Sequence, residues 1–110
     1  MLVVLNAENG SVVSTPAIGN GCDGTAFDPE LAYVYSSNGE GTLTIIKEIS
    51  KDKYEVVENI PTKRGARTLT VDHETQTVYL PTTDFKPAEN GERRPPMIPG
   101  SFQVLVVKKL

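Results

Sequence analysis

The nine residues Phe27-Asp28-Pro29-Glu30-Leu31-Ala32-Tyr33-Val34-Tyr35 return, in looser form, as Val71-Asp72-His73-Glu74-Thr75-Gln76-Thr77-Val78-Tyr79. Asp28 and Asp72, Val34 and Val78, and Tyr35 and Tyr79 all stand 44 positions apart. Each copy is an apolar residue and an aspartate, a polar turn, then a β-rich run ending Val-Tyr. A fixed period of about 20 to 50 residues marks a repeat architecture, in which one supersecondary unit is used again. The period also runs backwards, since Gly65 falls 44 after Gly21, and Val56 and Val57 fall 44 after Val12 and Val13.

Around the repeat, turn signals arrive often enough to cut the chain into short strands, and no segment carries a helical period, which predicts an all-β fold. Residues 2–5 and 11–15 flank Asn9-Gly10, a strong hairpin signal. Residues 19–24 hold three glycines and read as a loop. Strands follow at 25–28 and 31–36, joined where Pro29 fixes φ and Asp28 can accept bonds from the turn backbone. Residues 37–41 turn the chain into strands at 42–49 and 54–60, and the second copy starts at Arg67. Past Leu80 the register breaks, because residues 81–100 contain five prolines where the first copy has a short turn. Matching Gly41-Thr42-Leu43 to Gly100-Ser101-Phe102 sets the insertion at 15 residues, before a last strand over 102–108.

Bulk properties exclude more than they identify. The 110 residues suit one domain, and 38% hydrophobic with 23% charged is a globular composition. A net charge of −3 argues against a generally basic nucleic-acid binder. Cys22 is the only cysteine, so neither an intrachain disulfide nor a cysteine zinc cage can form. Residues 1–6 carry no basic region, and their apolar run is too short for a signal segment or membrane span. The chain by itself therefore reads as cytoplasmic, with a periplasmic or extracytoplasmic place open to a longer parent.

The turn at Asp28 to Glu30 leading into Tyr33-Val34-Tyr35, its degenerate copy at 72–79, the Asn38-Gly39 turn and the following Thr42-Leu43-Thr44-Ile45-Ile46 resemble the YVTN-type β-propeller repeat. The resemblance implies antiparallel four-stranded blades, with strands A to D running from the channel outwards. On that scheme the chain reads C-D, A-B-C-D, A-B-C. Residues 1–23 are then a half blade, 24–66 a complete blade, and 67–110 a blade without its last strand, carrying the inserted loop 81–100. Such a piece leaves blade faces and sheet edges open, so its expected partners are further copies of itself or the missing blades of a longer chain. Phe27 and Val71, the matched strand-A positions, are expected in the core, with Tyr33, Tyr35 and Tyr79 packing between blades.

The same scheme brings the D-to-A and B-to-C connections to one face, where repeat proteins gather function. Arg67 is the leading candidate for holding an anionic group through its planar fork. Lys63, Arg64, Arg93, Arg94 and Asp23 complete the candidate ligand-binding set, and Arg93-Arg94-Pro95-Pro96 can also present an extended segment to a partner. The expected function is a non-catalytic binding or structural module for an anionic small molecule or a protein, with no metal or cofactor. Two other readings stand beside it: a metal-assisted, hydrolase-like propeller using Asn20, Asp23 and Asp84, and a DNA-binding propeller, disfavoured by six basic against five acidic residues in the loops. His73 reads as part of a solvated turn, and Cys22 as incidental.

Overall fold

The computed structural model describes residues 1–89, 91 and 94–109. Among them there are nine strands and no helix: β1 (Val4–Leu5), β2 (Val12–Ser14), β3 (Cys22–Asp28), β4 (Tyr33–Asn38), β5 (Thr42–Ser50), β6 (Lys53–Pro61), β7 (Thr70–Asp72), β8 (Thr77–Thr82) and β9 (Gln103–Lys108). They form three open antiparallel sheets, β1-β2, β3-β4-β5-β6 and β7-β8-β9, each a meander in chain order.

The 44-residue period survives as geometry. In the turn after β3, Asp28 Oδ1 accepts the backbone N–H groups of Glu30 at 2.9 Å and Leu31 at 3.3 Å, and Ala32 lies in the left-handed region at φ 56°. In the turn after β7, Asp72 Oδ1 accepts those of Glu74 at 3.0 Å and Thr75 at 3.4 Å, and Gln76 has φ 57°. Bond for bond and dihedral for dihedral, the second turn is the first moved by 44 residues. An aspartate that captures the turn N–H groups fixes the reversal, so the local sequence sets the register of both hairpins. The turns also approach each other, with His73 Nδ1 3.9 Å from the buried Asp28 Oδ1.

Face alternation then orders the sheets. In β4, Tyr33 and Tyr35 share one face and Val34 the other. Tyr35, Leu43 and Ile45 on the second sheet meet Val78 and Leu80 on the third in one buried cluster, edged by Tyr33, Ile60, Leu69, Val71, Leu105 and Val107. The Tyr33 and Tyr35 rings stand edge to face, 6.1 Å apart at 85°. Val34, on the opposite face, lies with Phe27 beside residues 2–5 of the first sheet. Val78 of the third sheet, 44 after Val34, likewise faces the sheet before it. The second sheet thus turns one face to the sheet before it and the other to the sheet after it.

Phe27 is not core, as the repeat predicted, but 46% exposed, whereas Val71 packs into the cluster. The reason is the unequal size of the covering sheets. Val71 looks back onto four strands, while Phe27 looks back onto two short ones. Several boundaries also differ from expectation. β3 starts at Cys22, paired across a bulge with Asn38, so the end of the glycine loop is strand and β4 runs on to Asn38. β7 starts at Thr70 rather than Arg67. β8 continues through Pro81 to Thr82. A residue in an antiparallel strand directs its N and O to the same side. Pro81 O accepts Arg67 N–H at 3.1 Å, so its missing donor faces a side where β7 has already ended at Thr70, opposite Tyr79.

The ladder also resizes the insertion. Tyr35 pairs with Ile45 and Tyr79 with Val106, so matched positions in the third strands are 61 apart, which makes the insertion 17 residues. A two-residue difference keeps every side chain on its face, because the strand period is two.

Candidate functional site

Four connections meet at one end of the sheets: residues 15–21, 39–41, 62–69 and 83–102. Backbone bonds tie the first three in sequence, with Gly39 N–H donating to Gly21 O at 2.8 Å, Thr62 N–H to Gly41 O at 2.8 Å and Gly65 N–H to Gly39 O at 2.9 Å. Beneath them lies a buried polar ladder. Ser36 Oγ donates to Asn38 Oδ1 at 2.9 Å, Asn38 Nδ2 to Thr44 Oγ1 at 2.9 Å, and Thr44 Oγ1 to Asn59 Oδ1 at 2.8 Å. Ser36, Asn38 and Thr44 are buried and satisfy one another, as polar residues in a water-poor place must, while Asn59 at the end of the ladder is exposed. Gly19 sits on top, where a Cβ would run into the side chains of Glu40, Thr42 and Asn38. Cys22 Sγ lies 3.2 Å from Ser36 Oγ at the edge of this ladder.

The proline-rich insertion folds back on itself. Lys86 N–H donates to Pro96 O at 2.9 Å and Ile98 N–H to Asp84 O at 2.8 Å, around an antiparallel bridge between Phe85 and Met97. At its base Ser101 Oγ accepts Asp84 N–H at 2.9 Å and lies 2.5 Å from Thr83 Oγ1. This closure brings the Phe85 ring against Gly65, whose φ is +76° and where an added Cβ would come within 2.8 Å of the ring.

Between the insertion and the 62–69 loop lies a cleft of about 610 Å³. Its walls mix Arg64, Arg67 and Arg94 with Phe85, Met97 and Phe102, over a floor that includes Gly65 and Pro81. Of the six residues selected from sequence, three line this cleft. Asp23 and Lys63 do not. Asp23 Oδ1 meets Arg67 Nη1 at 3.4 Å, and Lys63 Nζ meets Asp84 Oδ1 at 3.0 Å. Arg93 lies outside the described residues. Asp23 and Arg67 are themselves 44 apart, so their ion pair joins the same position of successive repeats, at the point where each leaves its loop.

These pairings change the electrostatics that a charge count suggests. Near-balance over all the loops hides a division of labour, because Asp84 engages Lys63 and Asp23 engages Arg67 at the rim. No carboxylate is among the described residues that line the cleft. Among the described residues, no ion pair involves Arg64 or Arg94. Of Asn20, Asp23 and Asp84, considered together as metal ligands, the two aspartates are engaged with Arg67 and Lys63, and the Asn20 backbone carbonyl accepts Glu40 N–H at 3.3 Å. No group of three or more His, Cys, Asp or Glu side chains suited to a metal occurs among the described residues.

Sequence reasoning missed Phe85, Met97 and Phe102. Their signal was present, as large apolar residues in an otherwise polar, proline-rich insertion. Away from the cleft, burial first and the nearby Asp28 carboxylate second push the Tyr35 phenol up to about 12. That group belongs to the packing between sheets. No family model, no curated protein and no solved structure matches the chain.

Proposed function

We propose that this chain is a run of YVTN-type β-propeller blades, serving as a non-catalytic structural and binding module that presents its loop-face cleft to a ligand. The observation that carries the reading is the recurrence, 44 residues on, of the aspartate-capped turn with its left-handed fourth residue. It is supported by the grouping of strands into two, four and three, and by the second sheet having the first on one face and the third on the other.

By the same order, the third sheet has a forward face that no other sheet covers among the described residues. Tyr79 and Val106 occupy the places that Tyr35 and Ile45 hold in the second sheet, where a neighbouring sheet covers them. Val104 and Val106 are 47% and 61% exposed. The occupant we propose for this face is a sheet of the same kind, from a second copy of the chain or from further blades of a longer one.

The non-catalytic part of the reading is tested by metal analysis of the purified protein, dialysed first against divalent ions and then against buffer alone. The module reading expects far less than one ion per chain. A stoichiometric divalent ion that survives dialysis overturns it in favour of metal-assisted hydrolysis.

A further inference from the structure

We infer that the cleft between the 62–69 loop and the insertion is a site for a small organic anion with a planar apolar body, such as an aromatic carboxylate, sulfonate or phosphate. This deepens the binding part of the function proposed above and depends on the loop face alone, not on the assignment of blades.

Two kinds of wall, held together, carry the inference. Arg64, Arg67 and Arg94 all line one cavity, and the described lining contains no carboxylate. A guanidinium presents a rigid fork of donors that matches the oxygens of an anion, and its flat face also stacks on aromatic rings. Like charges gathered at one cavity repel one another, and an anion seated among them relieves that repulsion. Arg67 is already oriented by Asp23 at 3.4 Å, whereas Arg64 and Arg94 take part in no ion pair among the described residues.

The second wall is apolar. Phe85 is half-buried, and the missing side chain of Gly65 lets its ring come close to the backbone on one side of the cleft. Met97 and Phe102, in contrast, are 66% and 71% exposed. Large apolar side chains gathered and exposed beside a cavity are the usual mark of a binding surface. A flat ring placed between Phe85 and these two covers them while its charged substituent reaches the guanidinium groups. The cavity, at about 610 Å³, falls within the range of small-molecule sites. An inorganic anion leaves the apolar wall wet, and a neutral aromatic leaves Arg64 and Arg94 without an ion-pair partner among the described residues. The ligand class is the one that satisfies both.

The probe is naphthalene-2-sulfonate, titrated calorimetrically into the full chain. Naphthalene-2-sulfonamide serves as the neutral isostere and methanesulfonate as the anion without a ring. The expected result is saturable binding at one site per chain, about tenfold or more tighter than either control, since a hydrogen bond to a charged group is worth at least that factor. Arg64→Gln and Arg94→Gln should each weaken the sulfonate about tenfold, and Phe102→Ala should weaken the sulfonate and the sulfonamide alike. All three residues are exposed, and far-UV circular dichroism confirms that the variants fold. Val106→Lys, on the distant sheet face, should leave binding unchanged.

Equal affinity for sulfonate and sulfonamide overturns the inference, as does wild-type affinity in the Arg64 and Arg94 variants, or titration without saturation. If binding fails while copies of the chain still associate through the third sheet, only the ligand is wrong. A chain that binds the sulfonate as a monomer rejects the stacking and keeps the cleft.

Discussion

Tyr35 and Tyr79 are the same residue in successive repeats and lie in different surroundings, so truncating each in turn weighs the packing between sheets directly. Tyr35 is 3% exposed, pressed edge-on against Tyr33 and enclosed by the third sheet. Removing a buried ring of this size costs about 3–5 kcal/mol, and the edge-to-face contact accounts for roughly 0.5–1.5 kcal/mol beyond burial alone. Tyr35→Ala should therefore cost about 4 kcal/mol, a large part of the roughly 5–15 kcal/mol that holds a domain together. At this chain length the melting temperature should fall by roughly 15–25 °C. Tyr79 is half-buried on a face without a covering sheet, and Tyr79→Ala should cost about 1–2 kcal/mol in dilute solution. Urea denaturation followed by circular dichroism, at two protein concentrations, measures both. The cost at Tyr79 should grow with concentration as copies cover that face, while the cost at Tyr35 stays constant. Equal costs in dilute solution, or a Tyr35→Ala cost below about 1 kcal/mol, refute the stacking order.

Three further outcomes follow from the same structure. The Tyr35 phenol is raised from 10.0 to about 12, so its contribution is complete below pH 10 and is lost as pH climbs towards 12. Tyr35→Phe should remove that alkaline loss from the pH profile of urea midpoints while leaving stability near neutral pH close to wild type. Ala32 and Gln76 occupy left-handed backbone at a cost of about 1–2 kcal/mol each, part of which glycine regains against its greater unfolded freedom. Gln76→Gly should therefore raise stability by about 0.5–1 kcal/mol in thermal melts, and Ala32→Gly should do the same. Gly65→Ala should lower stability by about 1–2 kcal/mol, since φ is +76° and the new methyl meets Phe85. Displaced ring resonances of Phe85 in an NMR spectrum should accompany that loss.

How much of this could be read from the sequence depended on which force set each element. The turns were legible, because Asp28 and Asp72 fix them through bonds to residues two and three positions on, wholly inside the repeated nine-residue stretch. The strands between turns followed, and so did the convergence of the loops on one end. What failed depended on distant partners. Phe27 matches Val71 in every local respect and differs only in what lies across from it. The strand through Pro81 was hidden because proline reads as a breaker unless its N–H side is known to face no ladder. Gly100 was a false anchor for the insertion, two residues out, since a loop glycine carries no register while the pairing of Tyr79 with Val106 does. At the candidate site, basic residues stood out in the sequence. The carboxylates engaging Lys63 and Arg67, and the ring resting on Gly65, arose only from the way loops distant in the chain meet.

Tyr79, Val104 and Val106 form the third-sheet face on which the proposed stacking places a further sheet. Sedimentation equilibrium of the wild-type chain and of Val106→Lys at micromolar concentration tests it most directly. The account predicts wild-type oligomers, and a monomeric Val106→Lys with an unchanged far-UV spectrum. A folded wild-type monomer across that range, or oligomers indifferent to a lysine at position 106, would contradict it.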